Sequence, residues 1–169
     1  VSYYTKNGLV TNEFYPDYPV KFSWIKGQVD QPVVIQVKLE NSTRFLYKYD
    51  SEEYIGANFG ETLKGSFGRW KLDTTAFTDL HIGKEINVRV SDIDKVSESY
   101  TERLEVSLPN KMAPTISLYI KDDSKQRGKD FLNTILSAYN EETVAAKKQM
   151  IKSTLDFIDT RLASLTTEL

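Results

Sequence analysis

The amino-acid sequence changes character abruptly near residue 124. Before this point, Gly, Pro, Asn and Asp separate short segments that are rich in Val, Ile, Tyr, Phe and Thr, which is typical of β-strands. From about Gln126 to Leu169 there is no proline, and Gly128 is the only glycine. The change predicts a β-rich region followed by a long helix, because a helix interior excludes proline.

Apolar and polar residues alternate in several segments of the β-rich region. The alternation is clearest at residues 33–40, 85–90 and 104–108, and it predicts antiparallel strands with one solvated face in a sandwich or jelly roll. The pair Asn41-Ser42 predicts a tight hairpin turn between two of the strands. The predicted strands cover residues 1–5, 20–25, 33–40, 43–49, 65–72, 85–90, 100–108 and 115–121.

The C-terminal region carries a regular apolar spacing. Three residues, Asp122, Asp123 and Ser124, are candidates for its N-cap, and residues 140–142 favour either a bend or a break between two helices. Intervals of four, three, four, three and four residues form a heptad pattern, which is typical of a seam between helices. The seam predicts packing inside the chain, self-association, or both. Its members are Ile151, Leu155, Ile158, Leu162, Leu165 and Leu169.

Charge and composition exclude several classes of function. The net charge is −2, from 22 basic and 24 acidic residues with no basic block, so a nucleic-acid partner is not expected. The chain has no cysteine, and His81 is its only histidine. A thiolate zinc site is therefore excluded, and there is no second histidine around which a metal cluster or a Ser-His-Asp triad could be built. We predict no catalytic residue, metal ligand or cofactor in this segment, with His81 solvated or structural.

Glycines and aromatic residues leave two interpretations of the β-rich region. Residues 56–68 suggest a phosphate loop, but they lack the Gly-Lys-Ser/Thr ending, so turns and bulges are favoured.

Phe59, Phe67 and Trp70 are predicted to be core residues. Together with the many tyrosines, Trp24 and Trp70 could instead form a platform for stacking on a sugar. The rival hypothesis is therefore a carbohydrate-binding β module on a helical stalk.

The two ends of the sequence carry no terminal signals. The chain starts at Val1 without methionine, and it stops at Leu169 inside a helical pattern that has no cap. We expect it to be a soluble segment of a longer protein.

The C-terminal 54 residues, ISLYIKDDSKQRGKDFLNTILSAYNEETVAAKKQMIKSTLDFIDTRLASLTTEL, resemble the Wzz-type chain-length determinants, or polysaccharide co-polymerases. In that family a strand leads into a helix with an Asn-to-Tyr motif and then a Thr-x-x-Phe-Ile-x-x-Arg-Leu stretch. The stretches NFGETLKGSFGRWKL and NEFYPDYPVKF resemble the β-rich insertion of the capsule-type members, which are often associated with a tyrosine autokinase. The residues that match the helix motifs are Asn133, Tyr139, Thr154, Phe157 and Arg161.

The resemblance implies an α+β fold in two parts. Residues 1–18 and 110–169 would form a discontinuous α/β unit with the long helix, in which residues 1–5 could pair with residues 115–121. Residues 19–109 would form a β-sandwich (jelly-roll-like) insertion.

The resemblance also implies a role and a location. The segment would lie on the periplasmic face of the bacterial inner membrane, between two transmembrane helices of the parent protein. It would act as an oligomerising scaffold that controls polysaccharide chain length and export. Its partners would be other copies of itself, a polysaccharide polymerase, outer-membrane export proteins and the growing glycan.

Overall fold

The computed structural model describes residues 1–8, 10–109 and 115–167, except for the side chains of residues 7 and 163–167. The fold is mixed α+β, with antiparallel sheets and a long C-terminal helix, in agreement with the predicted class. The strands are β1 (Ser2–Asn7), β2 (Val10–Glu13), β3 (Val20–Gly27), β4 (Val33–Leu39), β5 (Arg44–Lys48), β6 (Ile55–Asn58), β7 (Leu63–Gly65), β8 (Gly68–Thr74), β9 (Glu85–Val90), β10 (Leu104–Ser107) and β11 (Ser117–Ile120). The α-helices are α1 (Ile93–Arg103) and α2 (Lys125–Thr167), and a 3₁₀ turn covers Thr78–His81.

The strands form three sheets. A six-stranded sheet has the order β2-β1-β9-β4-β5-β6, and a three-stranded sheet has the order β3-β8-β7. The remaining strands, β10 and β11, form a separate two-stranded ladder. Two compact units result, Val1–Arg127 and Gly128–Leu169, so all three sheets belong to the first unit.

One hydrophobic core joins the two larger sheets. Alternation on β4 and β9 buries Ile35, Val37, Ile86 and Val88 completely, as the sequence pattern predicted. Side chains of the three-stranded sheet enter the same cluster, among them the fully buried Trp70. The core therefore depends on both sheets, since each contributes one apolar face.

The predicted hairpin turn at Asn41-Ser42 is confirmed. Strands β4 and β5 pair antiparallel, and the Asn41 Oδ1 atom accepts hydrogen bonds from the backbone N–H groups of Thr43 and Arg44, at 2.9 and 2.8 Å. A side-chain acceptor of this kind stabilises a turn without the usual glycine.

Two glycines allow the backbones of β3 and β8 to come close together, as expected if glycines in this region form turns and bulges. Gly27 and Gly68 face each other at the end of β3 and β8, both with positive φ, of 145° and 127°. A Cβ atom on Gly68 would clash with the carbonyl of Lys26, so only glycine fits. The register of the two strands also shifts between Trp24 and Lys26, which marks a bulge.

The predicted pairing of residues 1–5 with residues 115–121 is wrong. Strand β1 pairs with β2 and β9, whereas β11 pairs with β10. Residues 2–13 therefore share a sheet with strands of the predicted insertion. Strand pairing is set by tertiary contacts that a local pattern does not contain.

The predicted strand over residues 100–108 is also wrong in its first half. Helix α1 continues to Arg103, and only Leu104–Ser107 is extended. The helix is capped by Asp92, whose carboxylate accepts hydrogen bonds from the N–H groups of Asp94 and Lys95, at 2.8 and 3.1 Å. Helix α2, in contrast, runs without a break through residues 140–142.

Candidate functional site

The predicted seam lies on α2, and its described members are exposed. Ile151, Leu155, Ile158 and Leu162 keep 59, 55, 45 and 55% of their surface accessible. The side chains of Leu165 and Leu169 lie outside the described residues. Because these four side chains share one side of the helix, we define them as the primary strip, an apolar surface suited to protein contact.

A second apolar strip runs along the same helix. Tyr139, Met150 and Phe157 are 66, 70 and 67% exposed. At about 100° per residue, Met150 and Phe157 lie roughly 140° and 160° around the axis of α2 from Leu155, and about 80° and 100° from Ile158. We call these three residues the opposite strip. Helix α2 thus presents apolar side chains on two sides, which a single packing partner could not cover.

The family-motif residues all lie on the surface of α2. Tyr139 and Phe157 belong to the opposite strip, whereas Asn133, Thr154 and Arg161 are exposed polar residues. The Thr154 hydroxyl donates to the carbonyl of Met150 at 2.9 Å, one turn earlier in the helix. The motif therefore marks a helix surface, and the structure does not gather these residues into a pocket.

A partly buried ion-pair network fixes the start of α2 in the first unit. The Asp122 carboxylate is only 2% exposed, and it accepts bonds from Arg127 Nη2 at 2.7 Å and Arg127 Nε at 3.2 Å. The Tyr100 hydroxyl also donates to it at 2.8 Å. Arg127 forms a further ion pair with Glu13 of β2. Four separate segments are joined through these side chains.

Residues of the same network cap the N-terminus of α2. The Asp122 Oδ1 atom accepts the N–H of Ser124 at 2.8 Å, and the Ser124 hydroxyl oxygen accepts the N–H of Arg127 at 3.3 Å. Of the three predicted N-cap candidates, Ser124 therefore caps α2 and Asp122 orients the cap. Asp123 is exposed.

Electrostatics stabilises the charged forms in this network. Burial acts to raise the pKa of Asp122, but hydrogen bonds from Arg127, the Ser124 N–H and Tyr100 outweigh it and hold that pKa below its usual value. Burial acts to lower the pKa of Arg127, yet the hydrogen bond to Asp122 and the charge of Glu13 raise it. Both groups are therefore ionised at neutral pH.

The two tryptophans occupy different environments, and neither forms an open platform. Trp70 is completely buried, stacked on Phe22 at a centroid distance of 5.7 Å, so it offers no face to a sugar. Trp24 is half-buried, with an edge-on contact to Phe67 at 6.5 Å. The predicted core roles of Phe67 and Trp70 are confirmed, since both are buried, and Phe59 packs against the core.

His81 lies at the end of the 3₁₀ turn, in edge-on contact with the Phe14 ring at 4.9 Å. Burial lowers its pKa, and the charge of Lys84 lowers it further, so the imidazole is neutral at physiological pH. Within the described ranges, no group of three or more His, Cys, Asp or Glu residues could hold a metal ion.

No protein-family model and no curated protein matches the sequence. Among the described residues, no helix combines the length and the apolar composition that crossing a bilayer requires.

Proposed function

We propose that this chain is a periplasmic segment of an inner-membrane polysaccharide co-polymerase of the capsule type. In this role it is a non-catalytic scaffold that self-assembles and so helps to control the chain length and export of a capsular polysaccharide or exopolysaccharide. The observation that carries the proposal is the apolar surface of α2, where the primary strip is about half exposed. The motif residues that resemble the chain-length determinants lie on the same helix, which links the resemblance to this surface.

The two strips support assembly into a ring. A helix with apolar side chains on two sides can contact one neighbour through each side. Contacts between two different surfaces of neighbouring subunits close into rings when the rotation between subunits permits it. Covering a half-exposed Leu or Ile contributes roughly 1 kcal/mol, so several such residues together stabilise an interface.

The remainder of the chain has a separate role in the proposal. The two larger sheets share one core, and we infer that they form a jelly-roll-like sandwich that is the β-rich insertion of the parent protein. The parent would be anchored by transmembrane helices on either side of the segment. Its partners would be its own copies, the polymerase, outer-membrane export proteins and the growing glycan.

Leu155→Glu in the full-length protein tests the proposal. We expect the variant to lose control of polysaccharide length, because an unpaired carboxylate in an apolar interface costs several kcal/mol. The measurement is the length distribution of the polymer on gels, together with the amount of the protein in the membrane.

Gln149→Glu is the matched control. It adds one negative charge to an exposed position of the same helix, about 120° around the axis from Leu155 and outside both strips. The control should keep the normal polymer length. A normal length distribution for Leu155→Glu, with the protein present at the normal level, would contradict assembly through the primary strip.

A further inference from the structure

A groove of about 810 Å³ lies in the first unit, and no residue of either strip lines it. Its walls include residues of β1, β2, β9, α1 and the first turn of α2. Five basic and two acidic side chains line it, although the whole chain has a net charge of −2. The basic residues are Lys6, Arg89, Lys95, Arg103 and Arg127, and the acidic residues are Glu13 and Asp123.

Two of the five cations are already paired with carboxylates. Arg127 binds Asp122 and Glu13, and Arg103 lies 3.9 Å from Asp122. Lys6, Arg89 and Lys95 have no carboxylate within ion-pair distance among the described residues. These three residues therefore leave the groove with an excess of positive charge.

Two of these cations lie over the ring of Tyr4. The Arg89 guanidinium carbon lies 5.6 Å from the centroid of the Tyr4 ring, and the Lys6 ammonium nitrogen lies 6.0 Å from it. The Tyr4 residue is only 6% exposed, so it forms a fixed base beneath the two charges. On the wall formed by α1, the Lys95 ammonium donates to the carbonyl of Asp30 at 2.6 Å. Cations held in this way lose less entropy when they bind a ligand.

Hydroxyl groups complete the polar lining. Ser2, Thr11, Ser91 and Ser99 line the same groove as the cations. A ligand with both anionic groups and hydroxyls would match this mixture, since serine and threonine both donate and accept hydrogen bonds. Nucleic-acid bases would find no open ring, because Tyr4 is buried and the Arg103 guanidinium lies 4.3 Å from the centroid of the Tyr100 ring.

From this lining we infer that the groove binds a segment of acidic oligosaccharide, with its carboxylate or other anionic substituents on Lys6, Arg89 and Lys95. The site would bind the growing glycan named in the proposed function, and in that respect it rests on that function. It does not depend on self-assembly, because no residue of either strip contributes to the groove. It also differs from a tryptophan platform, since neither Trp24 nor Trp70 lines it.

Titration of the chain with an oligomer of galacturonic acid, followed by calorimetry, tests the inference. We expect binding that weakens as salt increases, and no binding of a neutral dextran oligomer of the same length. Arg89→Gln should weaken binding roughly tenfold, the effect of losing one charge-assisted hydrogen bond, and Lys6→Gln should act in the same direction.

Lys64→Gln is the matched control, since it removes one exposed positive charge on β7, outside the groove. It should leave the affinity unchanged, and thermal melting should show that all three variants are folded. No binding of the uronate oligomer, or an equal loss with Lys64→Gln, would overturn the inference. Tighter binding of oligothymidylate or of phosphatidylglycerol vesicles would overturn it in favour of a different anionic partner. Each of these outcomes can be separated from a failure of assembly, because the Leu155→Glu variant retains the groove.

Discussion

Trp70→Ala is expected to lower the free energy of unfolding by about 3 to 5 kcal/mol, which is the cost of removing a large aromatic side chain from a packed core. Trp70 is completely buried between the two larger sheets. It stacks on Phe22 at 5.7 Å and on Phe67 at 6.2 Å, and it meets Tyr47 edge-on at 5.2 Å. Urea unfolding followed by circular dichroism measures the loss.

Two further variants make the test specific. Trp70→Phe should cost less than Trp70→Ala, because the buried indole N–H has no hydrogen-bond partner among the described residues and its removal carries no bonding penalty. Trp24→Ala should also cost less, since Trp24 is only half-buried. If Trp70→Ala were as stable as the wild type, the result would show that this ring does not join the two sheets.

Asp122→Ala is expected to cost about 2 to 3 kcal/mol, because it leaves Arg127 and Tyr100 without their shared acceptor. The cost stays below the range for fully buried pairs, since the Arg127 side chain is 24% exposed. Asp123→Ala is the matched control, because the adjacent carboxylate is exposed, and it should change stability little. Equal losses in the two variants would contradict the network.

The contribution of Asp122 should depend on pH. Its folded-state pKa lies below the unfolded value, so its stabilisation is present above the unfolded pKa and disappears as the pH falls through the folded one. The stability difference between wild type and Asp122→Ala should therefore be constant near neutral pH and shrink below about pH 4. Comparing the two proteins cancels the separate effect of His81, whose lowered pKa also reduces stability in acid.

The sequence predicted the elements that local patterns control. Strand β9 has its predicted bounds, and β4 differs by a single residue, because alternation specifies both the strand and its buried face. Helix α1 was missed, since its apolar residues Ile93 and Val96 are exposed and form no buried face. Its one local signal was the N-cap at Asp92.

The candidate site was predictable only in part. Heptad spacing identified the primary strip, whereas Met150 was missed, although it stands seven residues before Phe157 on the same side of the helix. A seven-residue interval between exposed apolar residues was the available signal. The groove could not be predicted, because its walls come from segments far apart in the sequence, and the pairing of β1 with β9 brings Lys6 and Arg89 to the same ring.

Sedimentation equilibrium of the chain, compared with Leu155→Glu and Gln149→Glu, tests most directly whether the primary strip mediates self-association. Wild type and Gln149→Glu should show an average mass that rises above 19.4 kDa as concentration increases, whereas Leu155→Glu should remain at the monomer mass. A wild-type chain that stays at 19.4 kDa throughout, or a Leu155→Glu variant that associates like wild type, would contradict the assembly role of α2.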